Sequence, residues 1–500
     1  MNTFKIQKQT EAEKDKFLID CFHDAGFINT LIESRHSMVS GRKGTGKTAL
    51  ARYLEQKNKD YGIDFALRIS IRSVSSGSGL DMKDRVNSIL FFVISKTVQK
   101  LLSENIFTKN AKRYWKDFLA QNDLQLLLDY ETFTESTKQK KTIFEAKGLF
   151  NSGIMKMEGK TSVDDNSIFS KTTTSDNPSV LIEILKESLP KQKEFLIFLD
   201  DLDISDYIDV TDSKLAKLEI ATIQELLLKL QAYNSILSDF DKKLRFVSLV
   251  REDLFEYMQG SNVNKLKSDC LNLEWNEKSF AGLLIRRLPF FEDNLEESLK
   301  DPEKAIKKEF PDSIFSKALE SFETNRYATN FYAYIVAVSF NRPRDFLMFC
   351  YAMRDRLSMK HKAVFENIES AEIEYSDYFT HELRDELFLA SRIIGLKGSQ
   401  KKLNNLIDIL DKKNGFNSSE LRSELAKYLG EKTSLGRKKI EAFIEQLWWY
   451  GVIGFKEEKD LLVSFRYISK HTPFVIAKIK DYVLFLHRGL WWFSQKRNRK

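Results

Sequence analysis

Ser37-Met-Val-Ser-Gly41-Arg42-Lys43-Gly44-Thr45-Gly46-Lys47-Thr48-Ala49-Leu50 is the stretch on which the fold turns. A short apolar strand runs into Gly-x-x-x-x-Gly-Lys-Thr and then into helix-forming residues, the pattern of a phosphate-binding loop. Gly41, Gly44 and Gly46 allow the backbone to curl so that successive N–H groups converge on an anion. Lys47 adds a point charge for the β- and γ-phosphates, and the Thr48 hydroxyl suits Mg²⁺. A helix starting at Thr48 turns its positive end to the same anion. Gly occupies only 20 of 500 positions, so this cluster is not a by-product of composition. Gly41 to Ala49, with Arg42, Lys43 and Thr45 between the glycines, is therefore the candidate nucleotide-binding segment.

A phosphate-binding loop needs an acidic partner strand. Phe195-Leu-Ile-Phe-Leu199 reads as a buried central strand, with Asp200-Asp201-Leu202-Asp203 emerging at its carboxyl end. Asp200 is expected to hold the Mg²⁺ shell. Asp201 stands where a carboxylate orients or deprotonates an attacking water, and Asp203 is expected to cap the turn. The next strand, Leu244 to Val250, ends in Arg251-Glu252-Asp253. A positive charge from Arg251 at that tip would stabilise a γ-phosphate in the transition state. Lys47, Asp201 and Arg251 are thus the candidate catalytic residues, with ATP and Mg²⁺ as the expected cofactors.

The remaining segments fit an α/β core. Phe65 to Arg72 alternates as a second strand, Asp81–Leu102 is an amphipathic helix, and a long helix is predicted over about Asp212–Phe240. Alternating strands and helices imply a parallel sheet covered on both faces. Residues 11–34 read as one or two lead-in helices. Residues 108–177 are rich in Ser, Thr, Lys and Asp and read as an insertion, either a small β-element or a loop. From Trp275 to about Leu357 the pattern is helical. Towards the end come apolar helices at about 402–411 and 418–429, the segment Gly436 to Gly451, and a β-wing from Val452 to Ile468.

Composition bounds the rest. Lys and Arg number 79 against 72 acids, a net charge of +7 that allows nucleic-acid contact without implying it. Three scattered Cys (Cys21, Cys270, Cys350) suit buried thiols in a reducing compartment. The polar N-terminus has no signal-peptide core, and apolar runs such as Ile89–Ile94 are too short to span a bilayer, so a cytoplasmic protein without membrane contact is expected. Other nucleotide-binding classes fit less well. The base-reading Asn-Lys-x-Asp of a GTPase is missing, because Asn58-Lys59-Asp60 lacks the spacer. Ser75-Ser-Gly-Ser-Gly79 lies too early to be the signature of a transporter-type ATPase and reads as a flexible loop. The length and the Asp-Asp pair disfavour a small-molecule kinase.

Asn341-Arg342-Pro343-Arg344-Asp345 makes a family resemblance specific. Together with the two motifs above and the terminal helices, it resembles the STAND and Cdc6/ORC-like branch of AAA+ ATPases, and more narrowly a group of bacterial ATPases often encoded in anti-phage defence loci. The resemblance implies an α/β core at 36–270 after a lead-in at 1–35, a helical lid at 271–380, and a C-terminal winged-helix domain at 381–500. It implies that Pro343 packs near the adenine and that Arg344 or Arg342 acts as a second sensor. The first position of that motif is Asn341 rather than Gly. Arg286 and Arg287 are candidates for an inter-subunit arginine finger. A homo-oligomer and a separate effector protein are the implied partners. Nucleic acid is a further candidate, through Arg437, Lys438 and Lys439 or the basic tail Lys496–Lys500.

Overall fold

The computed structural model describes residues 5–7, 11–71, 82–121, 178–202, 213–239, 242–309, 338–353, 365–393, 410, 415–429, 434–457 and 476–490. The Ser75–Gly79 loop, Asp203, most of the 108–177 insertion, the 402–411 helix apart from Leu410, the 462–468 strand and the basic tail lie outside the described residues.

The first core is a parallel sheet. Its strands are β1 (Met38–Gly41), β2 (Phe65–Ser70), β3 (Glu194–Asp200), β5 (Lys242–Arg251) and β6 (Cys270–Asn272), in the spatial order β2-β3-β5-β1-β6. A two-residue strand, β4 (Ser238–Asp239), pairs antiparallel with the start of β5. Strand β3 is buried from Phe195 to Asp200, as its unbroken apolar run requires of a central parallel strand. Its residues alternate between two layers. Phe195, Ile197 and Leu199 pack with α3 (Met82–Ser103), α5 (Pro178–Ser188) and α6 (Ser213–Leu237). Leu196 and Phe198 pack on the opposite face with α1 (Phe27–Glu33) and α2 (Lys47–Lys57). A helix α4 (Lys109–Gln121) continues the first layer through Trp115 and Phe118. The chain runs outward from β1 to β2, returns through β3 and β5, and crosses β1 to reach β6. The strand order reverses beside β1, the point at whose carboxyl ends open α/β sheets take their ligands.

The lead-in differs from expectation. Only Phe27–Glu33 is α-helical, and residues 11–25 are turns and irregular chain. Gly26, at φ +89°, starts the helix in a left-handed conformation, and Asp24 Oδ1 accepts from the N–H groups of Gly26 and Ile28. Apolar spacing alone therefore overestimated helix there.

Described residues between Trp275 and Leu490 share a second hydrophobic core. Past a short helix α7 (Asn262–Ser268), it includes α8 (Glu277–Arg287), opened by an Asn276/Ser279 capping box, and the short α9 (Leu295–Lys300) and α10 (Pro302–Glu309). Next come α11 (Pro343–Ala352) and the 29-residue α12 (Phe365–Ile393). The division expected at 380 falls inside α12, and the apolar core continues across it. The terminal part contains α13 (Ser418–Leu429), α14 (Ser434–Trp449) and an antiparallel sheet ordered β7 (Phe416–Asn417), β9 (Tyr482–Leu486), β8 (Ile453–Glu457). Strand β8 begins where the wing was predicted, and its described partner is β9. Among the described residues, no helix is long and apolar enough to cross a membrane.

Candidate functional site

The sheet register brings the sequence candidates to one edge. Gly41 at the tip of β1 pairs with Arg251 at the tip of β5. Asp200, at the tip of β3, pairs with Ser70 of β2. One strand separates β3 from β1, so the acidic pair stands about 10 Å from the glycine loop on the same carboxyl edge.

The loop itself is tightly wound. Gly44 and Gly46 have φ of +88° and +102°, the left-handed region that glycine enters without cost. A Cβ on Gly41 would collide with Thr45 Oγ1, which donates to the Arg42 carbonyl at 2.9 Å. Lys47 Nζ reaches back to the carbonyls of Gly41 and Arg42 at 2.7 and 3.0 Å. Thr48 and Ala49, in the first turn of α2, are half-buried. A backbone of this kind, with an ammonium folded over it and a helix beginning at its end, can accept an anion.

At the β3 tip, Asp200 is 4% exposed and accepts from Arg68 at 3.0 Å and from the Asp201 N–H at 2.9 Å. Asp201 adopts φ +58°, a left-handed conformation that Asp tolerates better than most residues. Its Oδ2 accepts from Ser70 Oγ at 2.5 Å. The structure thus turns Asp201 away from the strand direction and fixes it from β2. Arg68 and Ser70 were not among the sequence candidates. Their place at the end of a strand adjoining β3 is the signal that could have found them.

Most of the candidate arginines are engaged. Arg251 donates through Nε and a terminal nitrogen to both oxygens of Asp253, at 2.9 and 2.5 Å. Asp253 also accepts from the Tyr450 hydroxyl at 3.0 Å. Arg42 is buried, with its guanidinium 4.4 Å from the Phe340 ring centroid, 2.5 Å from Glu386 and 3.2 Å from the Tyr450 carbonyl. Its side chain is therefore committed to the second core, leaving its backbone at the loop. Arg342 donates to Asp345 (2.6 and 3.1 Å), to Glu386 and to the Lys43 carbonyl (2.9 Å). At 1% exposure it is a structural anchor rather than an available sensor. Arg344 donates to Glu382 at 3.2 Å, and Lys43 pairs with the same Glu382 at 3.3 Å. Arg287 is 3% exposed and bonded to Asp15, so the finger role considered for it is corrected: its charge is neutralised inside the subunit. Arg286 is half-buried beside His23.

Two glutamates one turn apart on α12 thus bridge the glycine loop to the Arg-Pro-Arg-Asp segment. Glu386 holds Arg42 with Arg342, and Glu382 holds Lys43 with Arg344. Burial alone would raise the Glu386 carboxyl, but the flanking Arg42 and Arg342 outweigh it and hold it down at about 2. Three backbone contacts complete the join. The Trp275 indole donates to the Thr45 carbonyl at 2.9 Å, and the Arg344 N–H donates to the Gly44 carbonyl at 3.2 Å. Asn341 donates to the Trp275 carbonyl at 2.8 Å. Asn341 has φ +57°, so the position does require the left-handed backbone that Gly would take freely. Pro343 opens α11 as its first residue and is buried.

Residues 294–384 match the model of a FunZ-associated C-terminal helical domain. The match covers α9, α10, α11 and most of α12, including Asn341–Asp345 and Glu382, and leaves the parallel-sheet core outside it. No curated protein matches the chain.

Proposed function

We propose that this chain is an ATP-binding and ATP-hydrolysing ATPase of AAA+/STAND type, working as a nucleotide-controlled switch in an oligomer. The observation that carries the reading is the shared carboxyl edge, with the wound Gly41–Thr48 loop on β1, Arg251 beside it on β5 and Asp200-Asp201 one strand further on β3. Bound there, MgATP supplies the phosphoanhydride to be cleaved. The N–H groups from Gly41 to Thr48 and the Lys47 ammonium would hold its phosphates. Thr48 and Asp200 would take the Mg²⁺, with Asp200 loosening from Arg68, and Asp201 would orient the water. Arg251, on leaving Asp253, would meet the charge that builds in the transition state. The Asn341–Asp345 segment, docked on the loop, would pass the nucleotide state to the C-terminal module.

The family resemblance extends the proposal to a role in anti-phage defence with a separate effector, and the FunZ-associated match at 294–384 is compatible with it. The test of the core is a pair of variants. Lys47→Ala should abolish ATP binding, whereas Asp201→Asn should bind ATP and not turn it over. Normal hydrolysis by Asp201→Asn would remove the catalytic assignment. A DNA-acting ATPase is the second reading, favoured by the exposure of Arg437 and Lys438 in the first turn of α14. It predicts ATPase stimulation by duplex DNA and steeply salt-dependent binding.

A further inference from the structure

We propose that Glu382 is an internal competitor for the terminal phosphate, so that Lys43 and Arg344 reach that phosphate only by leaving Glu382. The proposal rests on the nucleotide reading above.

The two glutamate bridges differ in kind. In the inner one, Arg42, Arg342, Asp345 and Glu386 are exposed by 4, 1, 0 and 2%. Two guanidinia meet two carboxylates there, and moving any one would leave a buried charge unmatched. That bridge is fixed. In the outer one, the side chains of Lys43, Arg344 and Glu382 retain 34, 19 and 19% exposure, and the contacts lengthen to 3.3 and 3.2 Å. Water reaches this bridge, and partly hydrated ion pairs exchange at small cost.

Both outer cations are tethered at the loop's centre. Lys43 precedes Gly44 in the chain. The Arg344 N–H is bonded to the Gly44 carbonyl, and a Cβ on Gly44 would lie 3.0 Å from the Arg344 Cβ. Their roots are held at the loop, whereas their charged ends meet Glu382 in a partly exposed bridge. A carboxylate and a phosphate oxygen are interchangeable acceptors for an ammonium and a guanidinium fork. Glu382 therefore occupies these cations as a phosphate would. A ligand carrying a third phosphate offers them an acceptor of higher charge, whereas a ligand without it leaves them on Glu382. The carboxylate sets how strongly the site prefers a triphosphate over a diphosphate, and exchanging it frees α12 on that side of the loop.

The test is calorimetric titration of MgATP and MgADP into the full-length protein, its Glu382→Gln variant, Arg344→Gln, the double variant and Lys47→Ala. Circular dichroism would check that each is folded. Glu382→Gln should tighten MgATP by about three- to tenfold, the scale of one or two half-exposed ion pairs. It should change MgADP by less than about twofold on the same scale. The gain should vanish in the Arg344→Gln background. Unchanged or weaker MgATP binding by folded Glu382→Gln would overturn the competitor role, as would equal gains for both nucleotides. Retention of binding by Lys47→Ala would instead overturn the nucleotide reading, and this proposal with it.

Discussion

Glu386→Gln should be among the most damaging single substitutions in the second core. The cluster it belongs to is balanced, with Arg42 and Arg342 against Asp345 and Glu386, each 4% exposed or less. Replacing the carboxylate with an amide keeps the shape and leaves one net positive charge buried. Breaking such a pair costs about 3–5 kcal/mol, against less than about 1 kcal/mol for an exposed pair. For a urea slope of about 2 kcal/mol/M, the midpoint of the transition followed by tryptophan fluorescence falls by about 1.5–2.5 M. The charge argument also predicts a rescue. Arg42→Met with Glu386→Leu removes one charge of each sign and leaves Arg342 paired with Asp345. Met retains contact with Phe340, so the double variant should recover most of the loss. A pH series adds the sign. A carboxyl lowered from 4.5 to about 2 contributes stability that is full above 4.5 and disappears as pH falls towards 2. A Glu386→Gln loss below about 1 kcal/mol would refute the reasoning, as would a double variant as unstable as the two singles summed.

Three further outcomes follow from individual positions. Asn341→Ala should cost about 1–2 kcal/mol in thermal unfolding, through a left-handed Ala and a lost bond to the Trp275 carbonyl, whereas Asn341→Gly should cost less. Burial, and then the charge of Arg286, lowers His23 from 6.5 to about 4. The unfolded chain takes up that proton first as pH falls, so stability is full above 6.5 and declines by about 2–3 kcal/mol between 6.5 and 4. Subtracting the stability–pH curve of His23→Gln should isolate that decline. Gly41→Ala should cut nucleotide affinity at least about tenfold in a folded protein, because its Cβ meets Thr45, and Thr45→Ala should partly restore it.

The sheet was largely legible because its signals are local. Phe195–Leu199 is an unbroken apolar run, Gly41–Thr48 is a fixed spacing, and the helices 82–103 and 213–237 repeat apolar residues at helical intervals. Strands β6 and β9 were missed, since three- and five-residue strands differ little from apolar loop. The long-range partners of the arginines were not legible at all. Arg42 meets Glu386 across 344 positions and Tyr450 across 408, and no periodicity links residues so far apart. Arg251 is the informative intermediate. Its place at a strand tip followed from pattern, but its fork onto Asp253 depends on how the chain turns after β5.

Tyr450 has a consequence for how the molecule is made. Its carbonyl receives Arg42, and its hydroxyl reaches the Asp253 that holds Arg251. At about 5–20 residues per second, a ribosome needs about 20–80 s to travel from Arg42 to Tyr450. Through most of that interval the emerging parallel sheet carries an arginine whose ion-pair partner Glu386 has not been synthesised, and the Tyr450 carbonyl comes last. The glycine loop therefore cannot be fully locked as the sheet forms, because its glutamate bridges come from α12 and its last contact from Tyr450. Termination before residue 382 would yield a loop without either of its glutamate bridges.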